Sequence, residues 1–380
     1  MNDKKIVMVD LKSQYLRIKS DIDTAVQNCI ENTNFINGQQ VKDFEQQLSA
    51  HYNSKYVVSC ANGTDALQLA LMSLGLQKGD EVLVPAFTYV ASAEVIGLLQ
   101  LTPVIIDVDA DTFNINATIA AEGLSSKTKA IIPVHLYGQC AEMNSIMQLA
   151  DTENIKVIED TAQSIGASYR MSTGETKYAG TIGDIGTTSF FPSKNLGCYG
   201  DGGAMFMQDE NLANTLRMLA NHGQSKKYYH EIIGTNSRLD TLQAAILLEK
   251  VKHIDQYNQA RQAVAHFYDT ALQGIQDIVI PFRNPLSTHV FNQYTIKVPA
   301  SLRDKLKDYL QSKGIPSMIY YPLPLHKQNA FSKISKVIGN LPNSHALCSS
   351  VLSLPIHTEI EESQLNYIVD NIKDFFKNHS

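Results

Sequence analysis

Short apolar stretches alternate with helical patterns through the first 160 residues, and this alternation constrains the fold more than any other feature. The stretches are rich in β-branched side chains, as buried strands are. They are YVVSC (56–60), EVLVP (81–85), TPVIIDVD (102–109), KAIIPVHLYG (129–138) and IKVIED (155–160). Patterns of helical spacing separate them, such as Leu67, Leu71 and Leu74. We therefore predict an α/β fold with a largely parallel sheet covered by helices on both faces.

After Asp240 the pattern changes, which indicates a second domain. One helical pattern runs without interruption over residues 241–272, and a more mixed region follows it. That region has a strand pattern at NQYTIKV (292–298) and helical patterns at 301–313 and near the C-terminus. We predict a large domain over residues 1–250, which includes N-terminal helices, and a small C-terminal domain over 251–380.

The composition excludes several classes of function. The net charge of −6 over 380 residues gives no basic surface for nucleic acid. No apolar run approaches bilayer length, and the first ten residues lack the apolar core of a signal peptide, so we expect a cytoplasmic protein without a membrane partner. The five cysteines are scattered and form no CxxC pair, so we expect neither disulfides nor a metal site.

Lys194 stands in an unusual segment, TTSFFPSKNLGCYGDGGA (187–204), between aromatic residues and four glycines. A neutral lysine amine in a water-poor pocket can attack a carbonyl carbon and form a Schiff base. The glycines would let the backbone approach a flat or bulky group closely. For one lysine alone, a position on the surface beside a loop is the ordinary alternative, so the neighbouring motifs decide.

Two of these motifs follow predicted strands. At GTD (63–65) a helix begins directly after a turn, so its free amides and the hydroxyl of Thr64 can bind an anion; an ordinary helix cap is the alternative. VIEDTAQS ends a buried strand with Glu159 and Asp160, at the edge where α/β sheets bind ligands. The Asp160 carboxylate could hold a heterocyclic nitrogen protonated or cap a helix, and Glu159 is expected to make structural contacts.

Two weaker motifs complete the set. Tyr89, in PAFTYVAS (85–92), could stack on a flat cofactor or belong to the core. Asn236 and Arg238, in GTNSRLD (234–240), could bind a phosphate or carboxylate or lie in a solvated turn. An anion cradle, a carboxylate for a ring nitrogen, a stacking aromatic residue and a Schiff-base lysine together match pyridoxal phosphate. We therefore predict that this compound is the cofactor.

Longer motifs resemble the DegT/DnrJ/StrS family of pyridoxal-phosphate sugar-nucleotide aminotransferases. The resemblance runs from VDLKSQY at residue 9 to SLPIH at 353–357 and includes ANGTDAL, VIEDTAQSIGA, SFFPSKNLG, GDGGA and NSRLDTLQAA. It implies the aspartate-aminotransferase fold (fold type I), with a mostly parallel seven-stranded sheet in the large domain and a small C-terminal α/β domain. It also implies a homodimer with active sites at the interface.

The resemblance assigns roles to individual residues. Lys194 would form the Schiff base and move the proton, and Asp160 would pair with the pyridine nitrogen. Gln163 would pack on the ring or its hydroxyl, and Tyr89 would stack on the ring. The phosphate would be held by Gly63, Thr64 and Ser189, and by Asn236 of the neighbouring subunit. Family members with histidine at the position of Lys194 catalyse a dehydration, so the lysine indicates transamination.

Within the family the sequence is most similar to transaminases for UDP-2-acetamido-2-deoxy-3-oxo-glucuronate, which use glutamate and make 3-amino uronates for bacterial O-antigens. Arg238 could clamp the uronate carboxylate or form an interface salt bridge. Tyr320, Tyr321 and His326 are predicted to line the sugar site, although relatives have histidine at position 320. Two alternatives stay open: an aminotransferase for a dTDP- or UDP-linked 3- or 4-keto-6-deoxy sugar, and a non-catalytic cofactor-binding regulator.

Overall fold

A computed structural model describes residues 5–378, which fold around one large sheet. In chain order the strands are β1 (Tyr56–Cys60), β2 (Glu81–Pro85), β3 (Thr102–Ile106), β4 (Thr128–Ile131), β5 (Lys156–Asp160), β6 (Ser168–Arg170), β7 (Thr176–Tyr178), β8 (Ile185–Ser189), β9 (Gly203–Met207), β10 (Gln224–Lys226), β11 (Tyr229–His230), β12 (Tyr294–Lys297), β13 (Lys336–Val337) and β14 (Val351–Leu354). The helices are α1 (Leu11–Arg17), α2 (Lys19–Glu31), α3 (Gln39–Tyr52), α4 (Gly63–Ser73), α5 (Ala91–Leu98), α6 (Ala117–Glu122), α7 (Met143–Glu153), α8 (Glu210–Leu219), α9 (Thr241–Val251), α10 (Ile254–Leu272), α11 (Ala300–Ser312), α12 (Pro342–Ser350) and α13 (Glu362–Lys377).

The large sheet has the strand order β1-β9-β8-β5-β4-β2-β3-β13. Its pairs are parallel except that β9 runs antiparallel to both β1 and β8, so the prediction of a mostly parallel sheet is confirmed. The five predicted stretches form β1 to β5. The prediction of seven strands was short by one, because the two residues of β13 return from the C-terminal part of the chain and pair with β3.

Both faces of the sheet are covered, as the apolar strands predict. Val82 and Val84 of β2 belong to one buried cluster, together with side chains of α4, α5 and α8. Leu83, which points to the opposite face, belongs to a second cluster with side chains of α6 and α7. Because alternate residues of a strand face opposite sides, a strand buried on both sides is largely apolar along its length.

A separate core lies in the C-terminal part, where β12 pairs antiparallel with β14 and α10, α11 and α13 pack around them. The single helix expected over 241–272 is instead two: α9 packs against α2 and α3, and α10 packs against α13. The domain boundary at residue 250 stays a prediction; the break between α9 and α10 lies at residues 252–253. No helix within residues 5–378 is long and apolar enough to cross a lipid bilayer.

Candidate active site

Lys194 lies in a turn just after β8, near the carboxyl ends of β5 and β8. Its amide donates to the carbonyl oxygen of Phe191 (2.9 Å), and its side chain is only partly exposed. Burial lowers the pKa of the Lys194 ammonium to about 8, although the nearby negative charge of Asp160 favours the charged form and opposes this shift. The neutral, nucleophilic fraction of the amine near neutral pH is therefore larger than for an exposed lysine.

Asp160 is the last residue of β5, and its carboxylate is buried. Oδ2 accepts a hydrogen bond from the hydroxyl of Ser92 (2.8 Å), and Oδ1 accepts one from the amide of Ala162 (3.1 Å). Residues 162–166 form turns, which excludes the alternative that Asp160 caps a helix. Ser92 was not identified from the sequence, although it lies in the PAFTYVAS motif. Only the aromatic residues of that motif indicated a function, namely stacking on a flat ring.

Gln163, Tyr321 and Tyr89 form a connected wall near Asp160. The Gln163 side chain accepts a hydrogen bond from the amide of Tyr137 (2.7 Å) and donates one to the Tyr321 hydroxyl (3.2 Å), which fixes its orientation. The ring centroids of Tyr321 and Tyr89 are 6.2 Å apart. Tyr89 is 56% exposed, so it is not a core residue and can present a ring face to a ligand.

The start of α4 can bind an anion. Asn62, rather than Thr64, caps this helix: its Oδ1 accepts from the amide of Asp65 (2.8 Å). Between residues 5 and 378 the amides of Gly63 and Thr64 have no acceptor. Ser189 lies against them, because a Cβ placed on Gly63 would be 2.6 Å from the Ser189 Cβ. The free amides of Gly63 and Thr64 and the side chain of Ser189 therefore lie close together at a helix start, where the helix dipole favours a phosphate.

The glycines after Lys194 serve the packing of the chain itself. A Cβ on Gly203 would lie 2.4 Å from the carbonyl oxygen of Asn62, so this glycine brings β9 against the start of α4. A Cβ on Gly197 would lie 2.4 Å from the carbonyl oxygen of Pro192. The prediction that the glycines approach a flat or bulky group is thus corrected for these two, which make room for protein backbone.

Glu159 makes structural contacts, as expected. Its fully buried carboxylate accepts hydrogen bonds of 2.6 to 2.9 Å from the amides of Gly180, Ile182 and Gly183 and from Nε2 of His135. The Ala141 amide donates to Nδ1 of His135, so the ring proton is on Nε2 and faces the carboxylate. This hydrogen-bond network fixes the backbone just before Asp160.

We expect Glu159→Gln to lower the free energy of unfolding by about 3 kcal/mol, because the amide NH₂ must face at least one of these N–H groups. Denaturant unfolding followed by circular dichroism measures this loss. The control is Glu175→Gln, which changes a carboxylate that is 59% exposed and should alter stability by less than about 0.5 kcal/mol. Equal effects of the two variants would contradict the structural role of Glu159.

Asn236 and Arg238 lie on the segment before α9. Asn236 is exposed and forms an isolated bridge with Asn221. The Ser237 hydroxyl accepts from the Ala61 amide (3.1 Å), which holds the segment close to the start of α4. Arg238 Nη1 donates to Asn221 Oδ1 (3.3 Å), and its buried Nε has no partner among the described residues. The role of Asn236 toward a neighbouring subunit stays a prediction.

Tyr320 and Tyr321 are joined by a cis peptide bond, and their ring centroids are 6.0 Å apart. Tyr321 belongs to the wall near Asp160, and the carbonyl oxygen of Tyr320 accepts from the Tyr137 hydroxyl. His326 has a different neighbour: its Nε2 is 3.1 Å from Nε2 of His345 on α12. In the described part of the chain His326 has no hydrogen bond to Asp160, so its assignment to the sugar site stays a prediction.

Three similar proteins match the chain over nearly its full length. The UDP-2-acetamido-2-deoxy-3-oxo-D-glucuronate aminotransferase of Pseudomonas aeruginosa is 42% identical, over 96% of this chain and 98% of the relative. A pleiotropic regulatory protein of Geobacillus stearothermophilus is 41% identical (98% and 99%). The UDP-N-acetyl-3-dehydro-α-D-glucosamine 3-aminotransferase of Acidithiobacillus ferrooxidans is 40% identical (97% and 97%).

Solved structures agree with the fold. A DegT DnrJ EryC1 StrS aminotransferase from Brucella abortus is 41% identical with a TM-score of 0.92, over 98% of this chain and 99% of that one. DesV of S. venezuelae, in complex with a ketimine intermediate, is 35% identical with a TM-score of 0.93 (98% and 99%). NtdA of Bacillus subtilis, with the cofactor PMP bound, is 29% identical with a TM-score of 0.90 (99% and 86%).

The family model for DegT/DnrJ/EryC1/StrS aminotransferases matches residues 16–373. This match spans the large sheet, the turn that carries Lys194 and most of the C-terminal part. Together with relatives that share about two fifths of their residues over nearly the whole length, it establishes the protein's class. The chain belongs to the DegT/DnrJ/EryC1/StrS aminotransferase family.

Proposed function

We propose that this aminotransferase moves the amino group of glutamate to the 3-oxo carbon of UDP-2-acetamido-2-deoxy-3-oxo-glucuronate, with pyridoxal phosphate as cofactor. The observation that carries the proposal is the partly buried Lys194 amine beside the Asp160 carboxylate. The Pseudomonas and Acidithiobacillus relatives are both named for UDP-linked sugars with an oxidised carbon 3, which supports the substrate class. The Pseudomonas relative is also named for a uronate.

The residues present fit each group of this cofactor. The free amides of Gly63 and Thr64, next to Ser189, suit its phosphate, and the Asp160 carboxylate suits its ring nitrogen. The exposed ring of Tyr89 can stack on its face. The NtdA structure, which has PMP bound, supports the assignment. When bound, the cofactor supplies an aldehyde that holds amines covalently and a ring that withdraws electrons from the reacting carbon.

Each catalytic role follows from the position of a side chain. The Lys194 amine, partly neutral near pH 8, would hold the aldehyde. Once free, its Nζ would be the base that takes the proton from the α-carbon of glutamate and the acid that returns it. The Asp160 carboxylate, oriented by the Ser92 hydroxyl, would hold the ring nitrogen in its protonated form. The hydrogen bond between Gln163 and the Tyr321 hydroxyl fixes the adjoining wall.

The two half-reactions balance overall. Glutamate loses its amino group and leaves as 2-oxoglutarate, and the keto sugar gains that group at its carbonyl carbon. The water taken up in the first half is released in the second. Lys194 Nζ serves as base and acid in both halves. As in the resemblance, we propose a homodimer in which Asn236 reaches the phosphate of the partner's site.

The test incubates the purified protein with pyridoxal phosphate, glutamate and a panel of keto-sugar nucleotides, and follows the aminated products by mass spectrometry. We expect the 3-oxo uronate to react best. A faster reaction with a dTDP- or UDP-linked 3- or 4-keto-6-deoxy sugar would overturn the uronate assignment. The name of the Geobacillus relative favours a regulatory protein as the second candidate function, and such a protein would release no 2-oxoglutarate from glutamate.

We propose that Arg238 distinguishes the uronate from neutral sugars by binding its carboxylate. Its buried Nε has no hydrogen-bond partner within residues 5–378, and a carboxylate that reached this atom would satisfy it. We expect Arg238→Ala to lower kcat/KM for the 3-oxo uronate about 100-fold, the effect of removing a charged hydrogen-bond partner. Turnover of the matching 3-oxo glucose derivative, which lacks the carboxylate, should change less than about threefold.

The control for Arg238→Ala is Arg217→Ala, at an arginine that is already paired with Glu45 (2.7 Å). This variant should lower both activities equally, through stability alone. A matched loss on both substrates in Arg238→Ala would indicate instead that the arginine forms an interface salt bridge.

A further inference from the structure

Asn195, the residue after Lys194, is buried, and both the nitrogen and the oxygen of its side-chain amide are hydrogen-bonded. Its Nδ2 donates to Oδ1 of Asn258 on α10 (2.7 Å) and to the carbonyl oxygen of Val290 (2.9 Å). Its Oδ1 accepts from Nδ2 of Asn292 (3.0 Å). We call Asn195, Asn258 and Asn292 the asparagine triad. Two of its members come from the second half of the chain, outside the large sheet.

Asn258 also contacts the other turn of the site. Its Nδ2 donates to the carbonyl oxygen of Ile165 (3.3 Å), two residues after Gln163. Gly166 leaves room for it: a Cβ there would lie 2.3 Å from Asn258 Nδ2, and the φ of Gly166 is +87°. One side chain of α10 thus links the turn of Lys194 with the turn of Gln163.

The third member of the triad is fixed from the same helix. Arg261, one turn beyond Asn258 on α10, is buried. Its Nη1 donates to the carbonyl oxygens of Phe291 (3.1 Å), Asn292 (3.3 Å) and Ile356 (3.1 Å). Buried amides are costly unless satisfied, and a satisfied network of this kind accepts only one geometry. Apolar side chains could fill the same space, but they would not fix the orientation of their neighbours as hydrogen bonds do.

We propose that the asparagine triad positions Lys194, so that the direction and depth of its amine depend on how α10 and the segment 290–292 pack against the large sheet. The triad acts through the backbone that Asn195 shares with Lys194 and touches neither cofactor nor substrate. The catalytic meaning of this positioning rests on the proposed function of Lys194. The positioning itself can be measured without that function.

The experiment measures reductive methylation of Lys194 against pH in the full-length protein freed of cofactor, with the Lys194 peptide quantified by mass spectrometry. Because burial lowers the pKa of this ammonium to about 8, the wild-type midpoint is expected near pH 8. Asn258→Ala should raise the midpoint by about one pH unit, since a loosened turn lets the amine reach water.

The matched control is Gln262→Ala, on the same helix one turn from Asn258. Gln262 donates to the carbonyl oxygen of His289 (3.0 Å), and none of its hydrogen bonds to described residues reaches the turn of Lys194. The methylation midpoint of Lys194 should therefore move by less than about 0.3 units in this variant. Equal shifts in Asn258→Ala and Gln262→Ala, or no shift in either, would overturn the proposal. If Asn258→Ala does not fold, Asn258→Ser replaces it with the same expectation. If the wild type does not bind pyridoxal phosphate, the proposed function is wrong, but the methylation midpoints of Lys194 still test the positioning by the triad.

Discussion

Lys194→Ala is expected to reduce glutamate-dependent amination of the keto sugar by at least about 10³-fold. The substitution removes both the amine that holds the cofactor and the group that moves the proton, and general acid–base catalysis alone contributes about 10² to 10⁴. Release of 2-oxoglutarate, measured in a single turnover with glutamate, reports the first half-reaction separately. The free energy of unfolding should change little in Lys194→Ala, because the Lys194 side chain is only partly buried.

Lys250 offers a matched comparison for this prediction. It is buried on α9, burial lowers its pKa to about 8 as for Lys194, and its Nζ donates to the carbonyl oxygen of Gly197 (2.5 Å). In the described part of the chain no carboxylate raises the pKa of Lys250 as Asp160 raises that of Lys194. Borohydride reduction of the holoenzyme should therefore leave the pyridoxyl group on the Lys194 peptide. The group on the Lys250 peptide, or on none, would contradict the assignment.

The sequence predicted the fold where local pattern and tertiary packing agree. The apolar stretches became β1 to β5, because a strand that is buried on two faces is largely apolar on both of them. The break between α9 and α10 had no such signal: residues 251–254 read VKHI, without glycine or proline, and the helices separate because they pack on different partners. The two-residue strand β13 was too short to show a period.

For the candidate site, residues with a chemistry of their own were found and residues that act through distant partners were not. Lys194 and Asp160 stand at strand ends, where ligand-binding groups are expected. Ser92 reaches Asp160 across 68 positions, and Asn258 reaches Asn195 across 63. Serine and asparagine are common in loops and caps, so nothing in their local sequence distinguishes these two. Their importance follows only from the distances that the fold creates.

Asp160→Asn is expected to lower kcat about 10² to 10³-fold, the effect of removing one preorganised electrostatic partner from an active site. An amide cannot hold the ring nitrogen protonated as a carboxylate does. Steady-state rates with saturating glutamate and keto sugar measure the loss. Ser92→Ala is the matched control: it removes one hydrogen bond from the carboxylate and keeps the charge, so we expect a loss of no more than about tenfold.

The same substitution separates the two roles of the negative charge at position 160. In the folded protein Asp160 raises the pKa of Lys194, against the larger lowering by burial. Removing the charge should therefore lower the methylation midpoint of Lys194 below its wild-type value near pH 8 and increase the neutral fraction at neutral pH. More of the Lys194 amine would then be neutral and able to react, while kcat falls. A lower midpoint together with a lower kcat would show that turnover is lost because the ring nitrogen has lost its partner. A higher midpoint would show instead that the substitution has displaced Lys194.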